Sequence, residues 1–130
     1  MTPKDRTDPS LDFDAWRAAA DTLPAIVFTA QPDGTLDFVN RRWAEFAGYE
    51  PSLESEADWQ SRVHPDDFDQ VVAAWQQAVT TGGEFSAELR IRKHDGRYAW
   101  ILANAAPLLA SDGSVERWYG TAVDIDKAKR

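Results

Sequence analysis

The sequence predicts an α+β domain built on one antiparallel sheet, with its helices grouped in the middle of the chain. Three observations carry this reading. Residues 25–30 and 35–40 are short runs rich in β-branched and aromatic residues, and a Gln-Pro-Asp-Gly turn separates them. Residues 41–47 and 65–81 carry apolar side chains at helical spacing. Residues 84–125 hold three strand-like runs joined by two tight turns, the pattern of a meander.

Residues 1–10, with two prolines and two aspartates, read as a disordered tail. At 11–22, Phe13, Trp16, Ala19 and Ala20 form one stripe of a short amphipathic helix, which Ser10 or Asp12 would cap and Pro24 would end. The hairpin follows, turned at Pro32-Asp33-Gly34, where proline presets φ and glycine accepts positive φ. Asn40 is placed to cap a helix over 41–47 that Gly48 stops, with Trp43, Phe46 and Ala47 on one face. Residues 50–64 promise only short helical turns, anchored by Leu53, Trp59 and Val63. Pro65-Asp66-Asp67 opens the longest helix, since proline suits the first position and acids suit the positive end of the dipole. Phe68, Val71, Val72, Trp75 and Val79 follow its period, and Gly82-Gly83 ends it. In the next strand Phe85, Ala87, Leu89 and Ile91 alternate with Ser86, Glu88, Arg90 and Arg92. Residues 97–109 are mostly apolar, which predicts a central strand covered on both faces. The run from 115 to 125 is the last strand.

The chain has 130 residues, a length that suits one domain of the common ~100–150 residue class. It has no cysteine, which removes disulfides, cysteine zinc sites, thiolate nucleophiles and cysteinyl-flavin adducts. A net charge of -8 argues against sequence-independent nucleic-acid binding. No apolar run approaches the ~18 residues of a membrane span, and the polar start lacks a signal-peptide core, so a cytoplasmic location is expected.

Four strings stand in a recognisable order. LPAIVFTAQPDGTLDFVNRRWAEFAGY precedes RVHPDDFDQVVAAWQQAV. An E-x-R-x-R-K-x-D-G-R-x-x-W pattern then covers 88–100, and G-T-x-x-D-I closes at 120–125. Over residues 23–126 this resembles a PAS sensory domain of the subtype with HPDD before the long helix. The family's terminal D-I-T is Asp124-Ile125-Asp126 here, which keeps a polar side chain at the strand end. The resemblance implies a PAS-like five-stranded antiparallel sheet in the order 2-1-5-4-3. Its helices lie on the concave face around a ligand pocket, and the N-terminal amphipathic helix lies on the outer face. It also implies a regulatory module that passes a signal to a C-terminal effector domain, most commonly a histidine kinase and otherwise a cyclic-dinucleotide enzyme, transcription regulator or chemoreceptor. Residues 127–130 are then the start of the signalling helix. The chain is either part of a longer protein or a single-domain form, and Met1 fits a native start.

By the register of these motifs, Leu89, Ile91, Ile101, Ala103, Ala105, Gly120 and Ala122 point toward the helices. Ile26 and Phe28 join them, with Val72 and Trp75 opposite. Four of these residues are Ala or Gly, which leaves room for a small apolar ligand. In the alternative, Trp43, Trp59 and Trp75 fill the space and the core is dry. Light-oxygen-voltage relatives hold flavin with a reactive cysteine in the region of 50–64, and with two asparagines and a glutamine on the last three strands. Those polar positions fall here on Ile91, Ile101 and Ala122, which cannot hydrogen-bond a flavin ring. A redox flavin held differently stays open. Haem-binding relatives supply a histidine from the long helix, and 66–81 has none. His64 reads as a residue at the helix start and His94 as a turn residue, and two distant histidines make no metal site.

On the opposite sheet face, Tyr98, Trp100, Leu102, Asn104, Tyr119, Val123 and Ile125 form an aromatic-rich patch. With Phe13 and Trp16 of the first helix, this predicts a homodimer interface; a monomer whose helix caps the sheet is the alternative. Asp66-Asp67 reads as dipole capping rather than a catalytic pair. Arg90, Arg92 and Lys93 read as a solvated strand face. No nucleophile triad, phosphate loop or kinase motif is present, so the chain itself is expected to be non-catalytic.

Overall fold

The computed structural model describes the backbone of residues 9–48 and 55–129 and the side chains of 15–48 and 59–129. The elements are α1 (Pro9–Ala20), β1 (Ile26–Ala30), β2 (Leu36–Val39), α2 (Arg41–Ala47), α3 (Ser55–Arg62), α4 (Pro65–Thr81), β3 (Phe85–Arg92), β4 (Tyr98–Leu109), β5 (Val115–Asp124) and α5 (Asp126–Lys129). The five strands form one sheet in the order β2-β1-β5-β4-β3, every pair antiparallel. This is the predicted fold class and strand order.

Three hairpin turns share one chemistry. In each, an aspartate Oδ1 accepts the N–H two residues on: Asp33 from Thr35, Asp95 from Arg97 and Asp112 from Ser114, all at 2.9 Å. The glycine between them takes positive φ, 94° at Gly34. Gly34 answers a second demand: a Cβ there would lie 2.8 Å from Val79 Cγ2, and its carbonyl accepts the Trp75 indole N–H at 3.1 Å. The first turn is thereby tied to α4.

Several expectations are corrected. The first helix begins at Pro9, not residue 11, so Ser10 and Asp12 lie inside it and proline takes the helix start. Residues 1–8 of the expected tail lie outside the described residues. Leu53 also lies outside them, while 55–62 form a full helix rather than isolated turns. Asn40 precedes α2 but makes no side-chain cap. Fully buried, it accepts from Val27 N at 2.9 Å and donates to Ala20 O at 2.8 Å and Ala25 O at 2.9 Å. It extends the β1–β2 ladder and ties the end of α1 to the sheet. β4 is an interior strand, but it alternates buried and accessible positions, so one face is covered and the other is only part-covered.

The core lies between the inner sheet face and α2, α3 and α4. Trp43, Val71, Leu89, Ile91, Ile101 and Trp118 are among its buried members. The free edge of β3 is closed by the α3–α4 junction: His64 N donates to Arg90 O at 2.9 Å, and Asp67 accepts from Arg90 N at 2.8 Å. Pairing with another strand is blocked there.

Candidate functional site

Short side chains on the inner face of β4 and β5 leave a gap beneath the helices. The gap is a cavity of about 80 Å³ whose wall presents no polar surface. Ile26, Phe28, Trp75, Leu89, Ile91, Ala103 and Ala122, all expected from the sequence, line it. Leu36, Val39, Trp43, Trp59, Val71 and Phe85 complete it. Trp75 is braced in the wall by edge-on contacts to Phe85 at 5.3 Å and Trp118 at 5.2 Å. Trp43, Trp59 and Trp75 thus line the space without closing it.

Four expected positions fall elsewhere. On α4, Val71 faces the cavity and is buried, while Val72, one residue around the helix, is half-buried and off the wall. Ile101 is buried but lines an adjoining cleft of about 340 Å³. Ala105 packs in the core beside Phe85, its partner across the β3–β4 ladder. The room left by Gly120 is taken: a Cβ there would lie 2.3 Å from Phe28 Cζ and 2.7 Å from the Asn104 carbonyl oxygen. The missed β2 residues, Leu36 and Val39, are not separated by an even number of positions. The register shift at Thr29/Ala30 puts both inward, and plain alternation does not reveal it.

The cleft borders the cavity at the end of the sheet. Ile26 and Ala122, paired across β1 and β5, line both spaces. Arg42, Glu45, Phe46, Lys93, His94 and Asp124 stand around it.

The outer face is divided rather than one patch. Trp16 of α1 packs edge-on against Phe38 at 5.7 Å and Tyr119 at 5.1 Å. The Phe13 side chain lies outside the described residues. At the other end, Trp100 has the Arg90 guanidinium 4.9 Å and the Lys129 ammonium 4.8 Å from its ring centre. Tyr98 is exposed and touches His64 at 4.8 Å, Leu102 is half-buried, and Val123 stays exposed. Asn104 is exposed and Ile125 half-buried.

Two electrostatic expectations change. Asp67 does more than complement a dipole. Its carboxylate takes Arg90 N, Nε and Nη2 at 2.8, 3.0 and 2.8 Å. These bonds, led by the Arg90 side chain, hold its pKa below the ordinary 3.8 against the opposing effect of burial. Arg90 is therefore a paired and stacked residue rather than part of a solvated stripe. His64 caps α4 as expected, its Nδ1 accepting from Asp66 N at 3.1 Å. Among the described residues no cluster of three or more His, Cys, Asp or Glu is placed to hold a metal ion. None of the described helices is long and apolar enough to cross a membrane.

A five-stranded sheet in this order, with helices over an inner cavity and a helix leaving the last strand, defines a sensory-domain class. The chain belongs to the PAS fold family, which it matches over residues 36–122. It is 36% identical over 114 residues, 88% of its length, to the uncharacterized protein y4lL of Sinorhizobium fredii. It is 32% identical over 118 residues, 90% of its length, to the peroxide stress-activated histidine kinase mak1 of Schizosaccharomyces pombe. The chain spans only 14% and 7% of those curated relatives. Among solved structures, the N-terminal domain of a Marinobacter aquaeolei diguanylate cyclase with PAS/PAC sensor superposes with a TM-score of 0.70 at 24% identity. That match covers 82% of this chain and 99% of the other. An RNA-binding light-oxygen-voltage receptor shares the fold at a TM-score of 0.72 and 18% identity, over 94% of this chain and 36% of that one. The chain is thus a PAS domain with a relative in a histidine kinase, and the solved structures share its fold.

Proposed function

We propose that this module senses a small uncharged apolar group in the cavity and relays its presence through α5 to an effector that follows in the chain. The observation that carries the reading is the apolar cavity under α2, α3 and α4. An engineered cavity of ~150 Å³ takes benzene, so a space of about half that size suits a group of a few carbon atoms. It does not suit flavin or haem without movement of the wall. The absence of cysteine and the apolar side chains of Ile91, Ile101 and Ala122 support the same conclusion. The module supplies no catalytic group in this reading, and a histidine kinase is the effector that the mak1 relationship favours.

The relay is built from packed groups. Asp67 lies in the first turn of the helix whose Val71 and Trp75 wall the cavity, and it grips Arg90. Arg90 lies over Trp100, and Lys129 of α5 lies over the same ring. Xenon tests the sensing site: methyl resonances of Val71, Leu89 and Ile91 should shift under xenon pressure, and Ala103→Leu should remove the response. Silent methyls in the parent protein would end the ligand reading.

A second reading, dimerisation without a ligand, draws on the groove of about 650 Å³ on the outer face. Trp16, Tyr119, Asn104 and Ala106 line it, and Val123 lies exposed on the same face. Since Trp16 packs on its own sheet, Val123→Glu is the cleaner test. A sedimenting dimer that becomes a folded monomer supports this reading, and a mass unchanged by the substitution opposes it.

A further inference from the structure

The start of α4 rests on one imidazole whose protonation state is fixed by the bond it makes. His64 Nδ1 accepts the Asp66 N–H at 3.1 Å. A backbone amide only donates, so Nδ1 carries a lone pair and the ring is the neutral Nε2–H tautomer. The main chain of the same residue is used twice more. Its N–H donates to Arg90 O, and its carbonyl accepts from Asp67 N, both at 2.9 Å. His64 therefore caps α4 and ties that end to the edge of β3. Asp67, which holds the Arg90 guanidinium, lies in the first turn that this cap supports.

Protonation reverses the role of Nδ1. An imidazolium presents N–H at both nitrogens, so the cap bond would become two donors facing each other. The surrounding groups decide where the charged ring goes. On α4 stand the Asp66 and Asp67 carboxylates. The Asp67 pKa is lowered chiefly by Arg90, with a smaller Coulombic part from His64. On β3 stand Arg90, already bound to Asp67, and Arg92, opposite Tyr98 in the ladder. Tyr98 of β4 has its ring 4.8 Å from the imidazole. Arg62 of α3 is turned to the carbonyls of Arg92 and Ala47. The positive end of the helix and Arg90 oppose a cation at the cap position, and the carboxylates attract it away from the Asp66 amide. His64 is half-buried, so water can deliver the proton.

We infer that His64 is a proton switch on the relay. Neutral, it caps α4; protonated, it drops the cap, and the loosened first turn weakens the hold of Asp67 on Arg90 and, through Trp100, the hold on α5. The last step rests on the relay described above. Imidazole is the side chain that ordinarily changes charge between about pH 5 and 8, a range in which ordinary carboxylates stay ionised. Mild acid therefore works the switch while the Asp67–Arg90 pair keeps both its charges.

NMR of the full chain at about pH 7.5 and about pH 5.5, beside His64→Asn, tests it. Asparagine caps a helix and does not titrate. In the parent, the nitrogen–nitrogen scalar coupling across the Asp66–His64 bond should be present at the higher pH and lost at the lower. Protection of the Asp69 and Gln70 amides should fall roughly fivefold, the usual worth of one cap, and exchange at 126–129 should quicken with it. In His64→Asn, protection at Asp69, Gln70 and 126–129 should not respond to this change of pH. Three results would each overturn the switch: an imidazole still neutral at the lower pH, a coupling that survives its protonation, or an acid response that persists in His64→Asn. If α5 answers xenon but not acid, the switch fails and the relay stands. If α5 answers neither, the relay fails and takes the switch with it.

Discussion

Arg90 and Trp100 face each other across the β3–β4 ladder, with the guanidinium carbon 4.9 Å from the indole ring centre. The pairing sits where three elements meet. Asp67 of α4 holds the guanidinium from one side, and the Lys129 ammonium of α5 approaches the same ring while pairing with Glu88 at 2.6 Å. Trp100 also accepts from Ile125 N at 2.9 Å through its carbonyl and donates its N–H to Asp126 Oδ1 at 3.2 Å.

Removing that ring should loosen α5 first. Trp100→Ala deletes two cation–π contacts, each about 0.5–1 kcal/mol at a part-exposed site. Hydrogen exchange at 126–129 should speed up while the amides of β1 and β5 keep their protection. Unchanged exchange in α5 would show that the indole does not hold the helix.

Asp67→Ala should cost more, about 3 kcal/mol, because it strips a part-buried guanidinium and a backbone N–H of their acceptor. Urea unfolding of the two proteins measures it. A loss below 1 kcal/mol would mean that water replaces the carboxylate without penalty.

The same residue sets an acid limb. Its folded pKa lies below 3.8, chiefly through the Arg90 hydrogen bonds, so its contribution is full above the unfolded value. That contribution is lost as pH falls below about 4 and through the depressed folded value. Asp33, Asp95 and Asp112 are lowered as well by their turn hydrogen bonds, led in Asp112 by the Ser114 hydroxyl, and add to the limb in the same direction. Stability measured from pH 7 down to pH 3 should fall less steeply in Asp67→Ala than in the parent.

Gly120→Ala should destabilise by about 1–3 kcal/mol, the usual cost of overpacking. The added methyl meets the Phe28 ring and the Asn104 carbonyl. If the ring yields, it moves toward the cavity that it already lines, so xenon affinity should fall together with stability. A stable variant with an undiminished xenon response would contradict the tight Phe28–Gly120 contact.

Asn40→Ala should cost about 2–4 kcal/mol, since Val27 N, Ala20 O and Ala25 O lose the partner that the buried Asn40 side chain supplies. Trp16 fluorescence should then report a freer α1. Asn40→Asp distinguishes the two halves of the latch: it keeps the acceptor for Val27 N and lacks both donors.

Much of this was legible in the chain. Asp-Gly turns, a proline at the start of α4 and clean alternation in β3 are local signals, because backbone conformation there depends on neighbours two to four residues away. The inner-face placement of Ile26, Leu89, Ile91, Ala103 and Ala122 followed from the register of the family motifs. The latch at Asn40, the inward turn of both Leu36 and Val39, and the filling of the Gly120 space were not legible. Each depends on a strand, a bulge or a ring that arrives from elsewhere in the sequence.

By itself, then, the sequence determined the fold class, the strand order through its family motifs, the absence of thiol chemistry and the apolar character of the inner face. Only the tertiary structure decided that this face is split between a small apolar cavity and a more open cleft with a charged rim. It also decided that the outer aromatics are shared between α1 and α5, and that Asp67 binds Arg90 instead of serving a helix dipole alone. The reason is physical. Period and turn chemistry are short-range, but void volume and ion pairing depend on which side chains from distant segments occupy the same few ångströms.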